Sequence, residues 1–469
     1  MSRPHVVVVG GGITGLTTAH RLARARPEVS VTLVEAAPRL GGKIVTEHLD
    51  GFVVEGGPDS LVTFKPQATD LARELGLGSR LHPADGATAG TYLSVGGRLR
   101  PMPDGMAGFV PRRFRPLAMT PLLSPWAKLR MAAECVVPAR RSGEDESLES
   151  FVTRRLGRGF HDALVEPMAT AIFGTDTGQL SLLATMPQLA AAERRHGSLT
   201  RLALSQRGRT APGGVVAPVS GLGELVDALT SALTGVDVRT STRVTRVERS
   251  EAVGYSVVLG TGETLAAESV VLAVPAPAVA EAAEGLHPEL GGVLAAFGQG
   301  STVTVTLGLD EGDLPAALPG HGYLVPTGEG RAVRACTWSS VKFPGRAPQG
   351  HALLRCSIGG SGRVDTSGLD DDRLVDLARR ELRSTLAIAG KPVLARVHRW
   401  EGVMPLYTLG HLDRVARVEQ LLDGHPGVVV AGSAFHGAGI PDCVASGERA
   451  AVKALAAVDR GARRSAASR

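Results

Sequence analysis

The chain opens on a short block of apolar residues, His5-Val-Val-Val-Val9, bounded by glycines. A run of that length, apolar on both faces, predicts a strand buried inside a parallel sheet. Apolar residues then recur at helical spacing through Leu16, Ala19, Leu22 and Ala23, which predicts a helix over 14–25. A second buried strand at 29–34 ends in Glu35 and completes a βαβ unit. Helical patterning resumes over 66–76, 145–157 and 222–234, with Ser147 placed to cap the second of these. Strand patterns occupy 236–249, 255–259 and 268–274. Alternation at 301–309, 332–338 and 352–358 predicts a separate antiparallel sheet. A helix over 370–388, a strand over 393–399, a buried strand over 427–433 and a helix near 443–458 complete the pattern.

Buried parallel strands thus fall at the start, the middle and the end of the chain. An α/β, Rossmann-like nucleotide-binding domain assembled from separated segments has that distribution. The expected division is a discontinuous cofactor domain from 1–65, 211–290 and 393–460. A mixed-sheet domain would take 66–90 and 291–392, and a helical domain 91–210. The small, basic tail over 461–469 is expected to be disordered.

Composition sharpens this only in places. The 469 residues are 43% hydrophobic and 21% charged, enough for a large core in two or three domains and unlike a disordered or fibrous chain. Aromatics are 4%, so the core must rest on Ala, Val and Leu. A net charge of +5, with arginines not interleaved by aromatics, argues against a nucleic-acid partner. Cys135, Cys336, Cys356 and Cys443 stand far apart, with neither zinc-site nor disulfide spacing, so no metal is expected. The apolar start runs straight into glycines rather than forming a leader, and a reduced, cytoplasmic protein is the expectation. The Pro-punctuated segment 114–137 carries Leu117, Met119, Leu122, Leu123, Trp126, Leu129 and Met131. It reads either as a buried helix pair or as a face for peripheral membrane contact.

The candidate chemistry begins where the first strand ends. Gly10-Gly11-Gly12-Ile13-Thr14-Gly15 has the GxGxxG spacing between a strand and a helix. Gly10 allows the tight turn, Gly12 lets backbone approach a pyrophosphate, and Gly15 lets helix and strand pack closely. The helix N-terminus then favours phosphate charge. Glu35 stands 20 residues beyond Gly15, where a carboxylate accepts both ribose hydroxyls. Past it, Ala36-Ala-Pro-Arg39-Leu-Gly41-Gly42-Lys43 adds a second glycine pair for a cofactor that continues beyond the pyrophosphate. That combination favours FAD over a nicotinamide. Glu55-Gly-Gly57-Pro58-Asp59-Ser60 is a further glycine turn, able to bring the chain back to the flavin end.

These blocks, with LVEPMATAIFGTD (164–176), VSGLGELVDAL (219–229), RWEGVMPLYTLGH (399–411) and AGSAFHGAGIPDCVASG (431–447), give the chain a family likeness. It resembles the FAD-dependent porphyrinogen oxidases of haem biosynthesis, within the wider amine-oxidase-like flavoproteins. The GIPDC block looks most like the Gram-positive type, which is similar to coproporphyrinogen III oxidases. The resemblance implies an FAD-binding amine-oxidase-like domain with an inserted substrate domain and a helical domain. It implies non-covalent FAD, with Gly10 to Gly15 on the pyrophosphate, Glu35 and Ala36 at the adenosine ribose, and Arg39, Gly42 and Lys43 along the diphosphate. Gly57, Pro58, Asp59 and Ser60 would lie near the ribityl-flavin part. Val244 would touch adenine, Trp400 would wall the cofactor, and Ile440, Pro441 and Asp442 would face the isoalloxazine.

The implied reaction is a six-electron oxidation of a porphyrinogen by three hydride transfers to flavin N5, with oxygen as acceptor and hydrogen peroxide released. The flavin is the acceptor, so no side chain is assigned a catalytic role. Lys65 is the best candidate for a substrate propionate, with Arg100, Arg112, Arg113 and Arg115 as lesser ones. Plant and animal relatives carry an arginine before the strand at 92–95 where this chain has Thr91, which favours coproporphyrinogen III over protoporphyrinogen IX. An amine- or carotenoid-oxidising flavoprotein is the rival enzyme. With 4 Tyr and 3 Trp the chain is poorly supplied for the aromatic clamp of amine oxidases. His411 and His436 are read as structural, and Cys443 as a buried thiol rather than a covalent flavin anchor.

Overall fold

The structure is a computed structural model that describes residues 3–86, 90–104, 106–107, 109–111, 113–140, 142–205, 213–251, 254–315, 318–360 and 363–467. Its organising layer is a five-stranded sheet in the order Val236–Arg239, Ser30–Val34, His5–Val9, Ser269–Leu272, Val428–Val430, parallel throughout. Alternation along the first strand explains its unbroken apolar run. Val6 and Val8 pack with helices Ile13–Ala25, Gly223–Ser231 and Ile440–Ala467 on one face. Val7 and Val9 pack with helices Ala276–Ala282, Leu290–Ala295 and His411–Leu422 on the other. The central strand has one neighbour from the next segment of chain and the other from more than two hundred residues on. The sheet therefore has its topological switch point beyond Val9, where a ligand crevice opens.

A seven-stranded sheet stands against this unit, in the order Leu394–Pro405, Gln299–Asp310, His351–Ile358, Val333–Trp338, Gly322–Leu324, Tyr92–Val95, Arg98–Pro101. Its pairings are antiparallel except that between Gly322–Leu324 and Tyr92–Val95. Val303, Val305 and Leu307 pack under helix Asp371–Leu386, which the Asp370 side chain caps through Arg373 N at 2.8 Å. Alternation puts Thr302, Thr304 and Thr306 on the opposite face.

The third unit is helical and runs from Phe114–Met119 to Leu199–Ser205. Ser147 caps Leu148–Leu156 as the sequence predicts, accepting from Ser150 N at 3.1 Å. The fully buried Glu134 pairs with Arg155 and accepts from Ser198 Oγ at 2.5 Å, Leu199 N at 2.9 Å and Thr200 N at 3.0 Å. Within 114–137, Leu117, Leu123 and Met131 are buried while Met119, Trp126, Leu129 and Val136 are exposed. Among the described residues, no helix is long and apolar enough to cross a membrane.

Four local expectations change. The strand expected over 236–249 is two strands, because Ser241 turns left-handed at φ +51° and sends Val244–Ser250 into an antiparallel hairpin sheet. Helix Gln67–Glu74 buries Ala68, Leu71 and Ala72 against the parallel-sheet core rather than in the mixed-sheet domain. Strands Tyr92–Val95 and Leu394–Pro405 extend the seven-stranded sheet instead of belonging to the helical and cofactor domains, since free strand edges find partners. The tail expected to be disordered from 461 continues helix Ile440–Ala467, through alanines that favour helix. Residues 206–212, between the helical unit and strand Val215–Pro218, lie outside the described residues.

Candidate active site

The glycine loop after the first strand is shaped by contacts that only hydrogen side chains allow. A Cβ on Gly15 would lie 1.8 Å from Gly10 O, and one on Gly10, at φ +104°, would lie 2.6 Å from Ala273 O. Gly12 differs, because a Cβ there meets nothing nearer than Gly42 Cα at 4.0 Å. The second glycine pair is bonded onto the first loop: Gly41 N donates to Gly11 O at 2.8 Å, and Gly12 bridges Gly41. Two bare backbones thus meet at the switch point. Helix Ile13–Ala25 starts there with no side-chain cap and no acid in its first turn, so its first N–H groups are open to an anion.

The flanking residues fix this loop. Glu35 accepts from Gly11 N at 2.6 Å and from Ala37 N at 2.7 Å, with Ala36 exposed beside it. Arg39 donates to Gly42 O at 2.6 Å and Leu40 O at 3.1 Å, so it braces the turn as well as charging it. Val244 is buried at the start of its hairpin, just after Thr242 N donates to Glu35 O at 2.9 Å. Lys43 leaves the loop: its Nζ donates to Val403 O at 2.9 Å and Ser433 Oγ at 3.2 Å. Burial pulls that ammonium below its usual range, and the nearby Cys443 offsets part of the effect.

Helix Ile440–Ala467 brings a second N-terminus to the same place. It runs alongside Ile13–Ala25 in the same direction, through Thr18 Oγ to Gly447 O at 3.1 Å, Arg21 to Glu448 at 2.7 Å and Arg26 to Asp459 at 3.2 Å. Gly447 makes the approach possible, since a Cβ there would fall 2.5 Å from Thr14 O. Two positive helix ends therefore converge on one crevice. Ile440 and Pro441 are buried at the second end, and Asp442 accepts from Lys65 Nζ at 2.7 and 2.9 Å. The structure thus ties the candidate propionate residue to a candidate flavin-facing one. Burial pushes the Cys443 thiol up to about 11, against the pull of Lys43, so it is protonated at neutral pH.

The turn at 55–60 closes the far end. Gly57 packs so tightly that a Cβ would lie 1.8 Å from Lys43 O, and Trp400 Nε1 donates to Gly56 O at 2.9 Å. Pro58 leads into Asp59, which accepts from Lys342 Nζ at 2.9 and 3.0 Å and from Ser60 Oγ at 2.7 Å. Arg355 donates to Gly57 O and stands 3.9 Å from Asp59. Burial alone would raise the Asp59 carboxyl, but Lys342 and Arg355 outweigh it and hold it well below the usual range. Lys342 and Arg355 escaped the sequence reading. Lysine rarity, with six in the chain, was the one signal that pointed at Lys342.

His411 is buried among Phe297, Tyr407 and Phe435, and burial pushes it down to about 4, so it is neutral packing. His436 is exposed, 3.9 Å from Glu419. Phe435 is buried against Phe297 in the core and offers no clamp at the crevice. Arg112 lies outside the described residues.

The crevice fits an extended dinucleotide, since Gly12 leaves open a cradle that a side chain would fill, while Gly42 brings its bare backbone up against Gly12. The profile of the family described as flavin containing amine oxidoreductase matches residues 13–455. The chain belongs to that family. It is a flavin-dependent oxidoreductase, and FAD is its cofactor. Over 468 residues it is 36% identical to the coproporphyrinogen III oxidase of Bacillus subtilis, covering 97% of this chain and 98% of the relative. It is likewise 36% identical over 512 residues to the coproporphyrinogen III oxidase of Propionibacterium freudenreichii, with 100% and 94% covered. A crystal structure of an Exiguobacterium protein, named as a candidate protoporphyrinogen oxidase, superposes with a TM-score of 0.85 at 31% identity over 98% of this chain and 100% of that one.

Proposed function

We propose that this flavoprotein oxidises coproporphyrinogen III to coproporphyrin III in haem biosynthesis, with three molecules of oxygen reduced to three of hydrogen peroxide. The observation that carries the reading is the 36% identity, over nearly the full length, to two bacterial relatives so named. FAD supplies the hydride acceptor when bound, and its attachment is non-covalent, since the Cys443 thiol is protonated and buried. The residues of this chain bind and orient. Gly10 to Gly15 and Gly42 present bare backbone to the diphosphate, Arg39 and Glu35 brace that backbone, and the Glu35–Ala36 edge faces the adenosine ribose with Val244 against the adenine. Lys43, Trp400 and the Gly57 to Ser60 turn wall the ribityl-flavin part. The two convergent helix ends, with Ile440, Pro441 and Asp442, face the ring where negative charge gathers on reduction. The alternative is protoporphyrinogen IX as substrate; Thr91, in place of an arginine, supports the tetracarboxylate.

The test is direct. Purified protein should be yellow, and oxygen-dependent porphyrin fluorescence should grow faster with coproporphyrinogen III than with protoporphyrinogen IX. Faster oxidation of protoporphyrinogen IX selects the alternative, and an amine oxidised while both porphyrinogens are ignored overturns the reading. Lys65 is assigned to a propionate. Its side chain is 46% exposed and its ammonium is held by Asp442, so it stands half in solvent beside the N-terminus of helix Ile440–Ala467. Lys65→Ala should raise KM for coproporphyrinogen III about tenfold with flavin content unchanged. An unaltered KM removes Lys65 from the site.

A further inference from the structure

The seven-stranded sheet holds a buried cation, Arg334, that nothing among the described residues neutralises. Arg334, on strand Val333–Trp338, is 8% exposed. Among the described residues no side chain or carbonyl accepts from its guanidinium, and its Nε is buried without a partner. Burial first, then the like charges of Arg363 and Arg355, push this guanidinium down to about 10, which still leaves it charged at neutral pH. A buried charge without a counter-ion is destabilising, and proteins retain one where a ligand supplies the missing partner.

The backbone around Arg334 is arranged to aim it. Val333 pairs with Ile358 and Ala335 with Ser357, so Arg334 is the extra residue of a β-bulge. Bulges re-aim a side chain and bend the strand next to active sites. Val333 and Cys336 point into the apolar core under helix Asp371–Leu386. The Arg334 side chain instead reaches between Gly174 and Gly360, where a Cβ on either glycine would fall 3.2 Å from Nη1. Gly174 ends helix Glu166–Phe173 of the helical unit in a left-handed turn at φ +66°. Arg334 therefore lies in the seam between sheet and helices. Its neighbour Arg355 is the residue that donates to Gly57 O at the flavin end. Arg363 is held by backbone carbonyls of Arg331 at 2.8 Å and Val325, and adds charge without neutralising any.

We propose that Arg334 receives one carboxylate of the substrate, its guanidinium fork donating to both carboxylate oxygens. A planar fork suits a carboxylate better than a lysine would. This deepens the coproporphyrinogen reading and rests on it for the owner of the carboxylate. Two cationic contacts, Lys65 beside the C-terminal helix and Arg334 in the sheet–helix seam, would then orient a macrocycle that carries acidic arms on its rim.

The experiment compares wild type, Arg334→Met and Arg334→Lys as purified flavoproteins. Arg334→Met should keep its flavin absorbance, match or exceed the wild-type Tm because an unpaired charge is gone, and raise KM for coproporphyrinogen III about tenfold to a hundredfold. Its kcat should stay within about twofold, the signature of lost binding rather than lost chemistry. Coproporphyrin III should bind it weakly by fluorescence, whereas the tetramethyl ester should bind variant and wild type alike. Arg334→Lys, which keeps charge but not the fork, should fall between. An active wild type with unchanged KM in Arg334→Met overturns the assignment of Arg334 alone, as does loss of Tm and flavin together, which makes Arg334 part of the fold. A wild type that ignores coproporphyrinogen III overturns the substrate reading instead.

Discussion

Gly12→Val is expected to give a folded protein that has lost its flavin. The position has room for the side chain itself, with the nearest neighbour of a Cβ 4.0 Å away at Gly42. The valine would occupy the space between the two glycine pairs, where the diphosphate must approach backbone N–H groups. Bound flavin, read as the ratio of absorbance near the flavin maximum to that of protein, should fall at least tenfold, while circular dichroism stays that of the wild-type apoprotein. Gly15→Ala is the contrasting control. Its Cβ would sit 1.8 Å from Gly10 O, so it must force the loop and helix apart and lower stability as well. A Gly12→Val protein that retains stoichiometric flavin would place the diphosphate elsewhere.

The second large effect is expected at Asp59. Asp59→Asn leaves Lys342 and Arg355 without their counter-charge, with the Asp59 and Lys342 side chains only 17% and 14% exposed. Removing one partner of such a pair costs about 3–5 kcal/mol. It should also loosen the turn at 55–60 from the seven-stranded sheet, and with it the flavin end. The pH dependence has a defined sign. The folded carboxyl lies below its ordinary value of 3.8, so the pair's contribution is complete above that pH and is lost as pH falls through the folded value. The Tm gap between wild type and Asp59→Asn should therefore be flat from neutral pH down to about 5 and narrow below about 4. The paired replacement Asp59→Leu with Lys342→Met should recover part of the loss, since apolar packing often replaces a buried pair without penalty. A gap that widens in acid would remove Asp59 from this role.

The cofactor cradle was legible early because its signals are local. A strand, a glycine turn and a helix start lie in one stretch, and Gly15 answers a clash only five residues away, against Gly10 O. The acid closing the next strand has the same character: Glu35 sits where its spacing from Gly15 puts it, against the loop it supports. Arg39 was legible only in part. Its charge was visible in the sequence, but its bonds to Gly42 O and Leu40 O make it a brace for the turn.

Partnerships across long separations were not legible. Lys65 and Asp442 are 377 residues apart, and Lys342 meets Asp59 across 283. Nothing in periodicity relates them, because the pairing depends on how the sheet unit docks on the cofactor unit. Edge strands moved for a similar reason. Tyr92–Val95 reads as an isolated four-residue run, and only the open hydrogen bonds of Gly322–Leu324 decide that it completes a sheet.

By itself, then, the sequence determined the parallel-strand layer, the glycine cradle with its acid, and the family whose blocks it carries. These follow from side-chain period and backbone sterics, which act over a few residues. Tertiary structure alone decided that two helix ends converge on the cradle and that Asp59 is clamped by Lys342 and Arg355. It also decided that Arg334 is buried with no partner among the described residues. A charge is paired or stranded according to what the rest of the fold brings within a few ångströms of it, and electrostatic free energy in a low-dielectric interior is governed by that distance rather than by order along the chain.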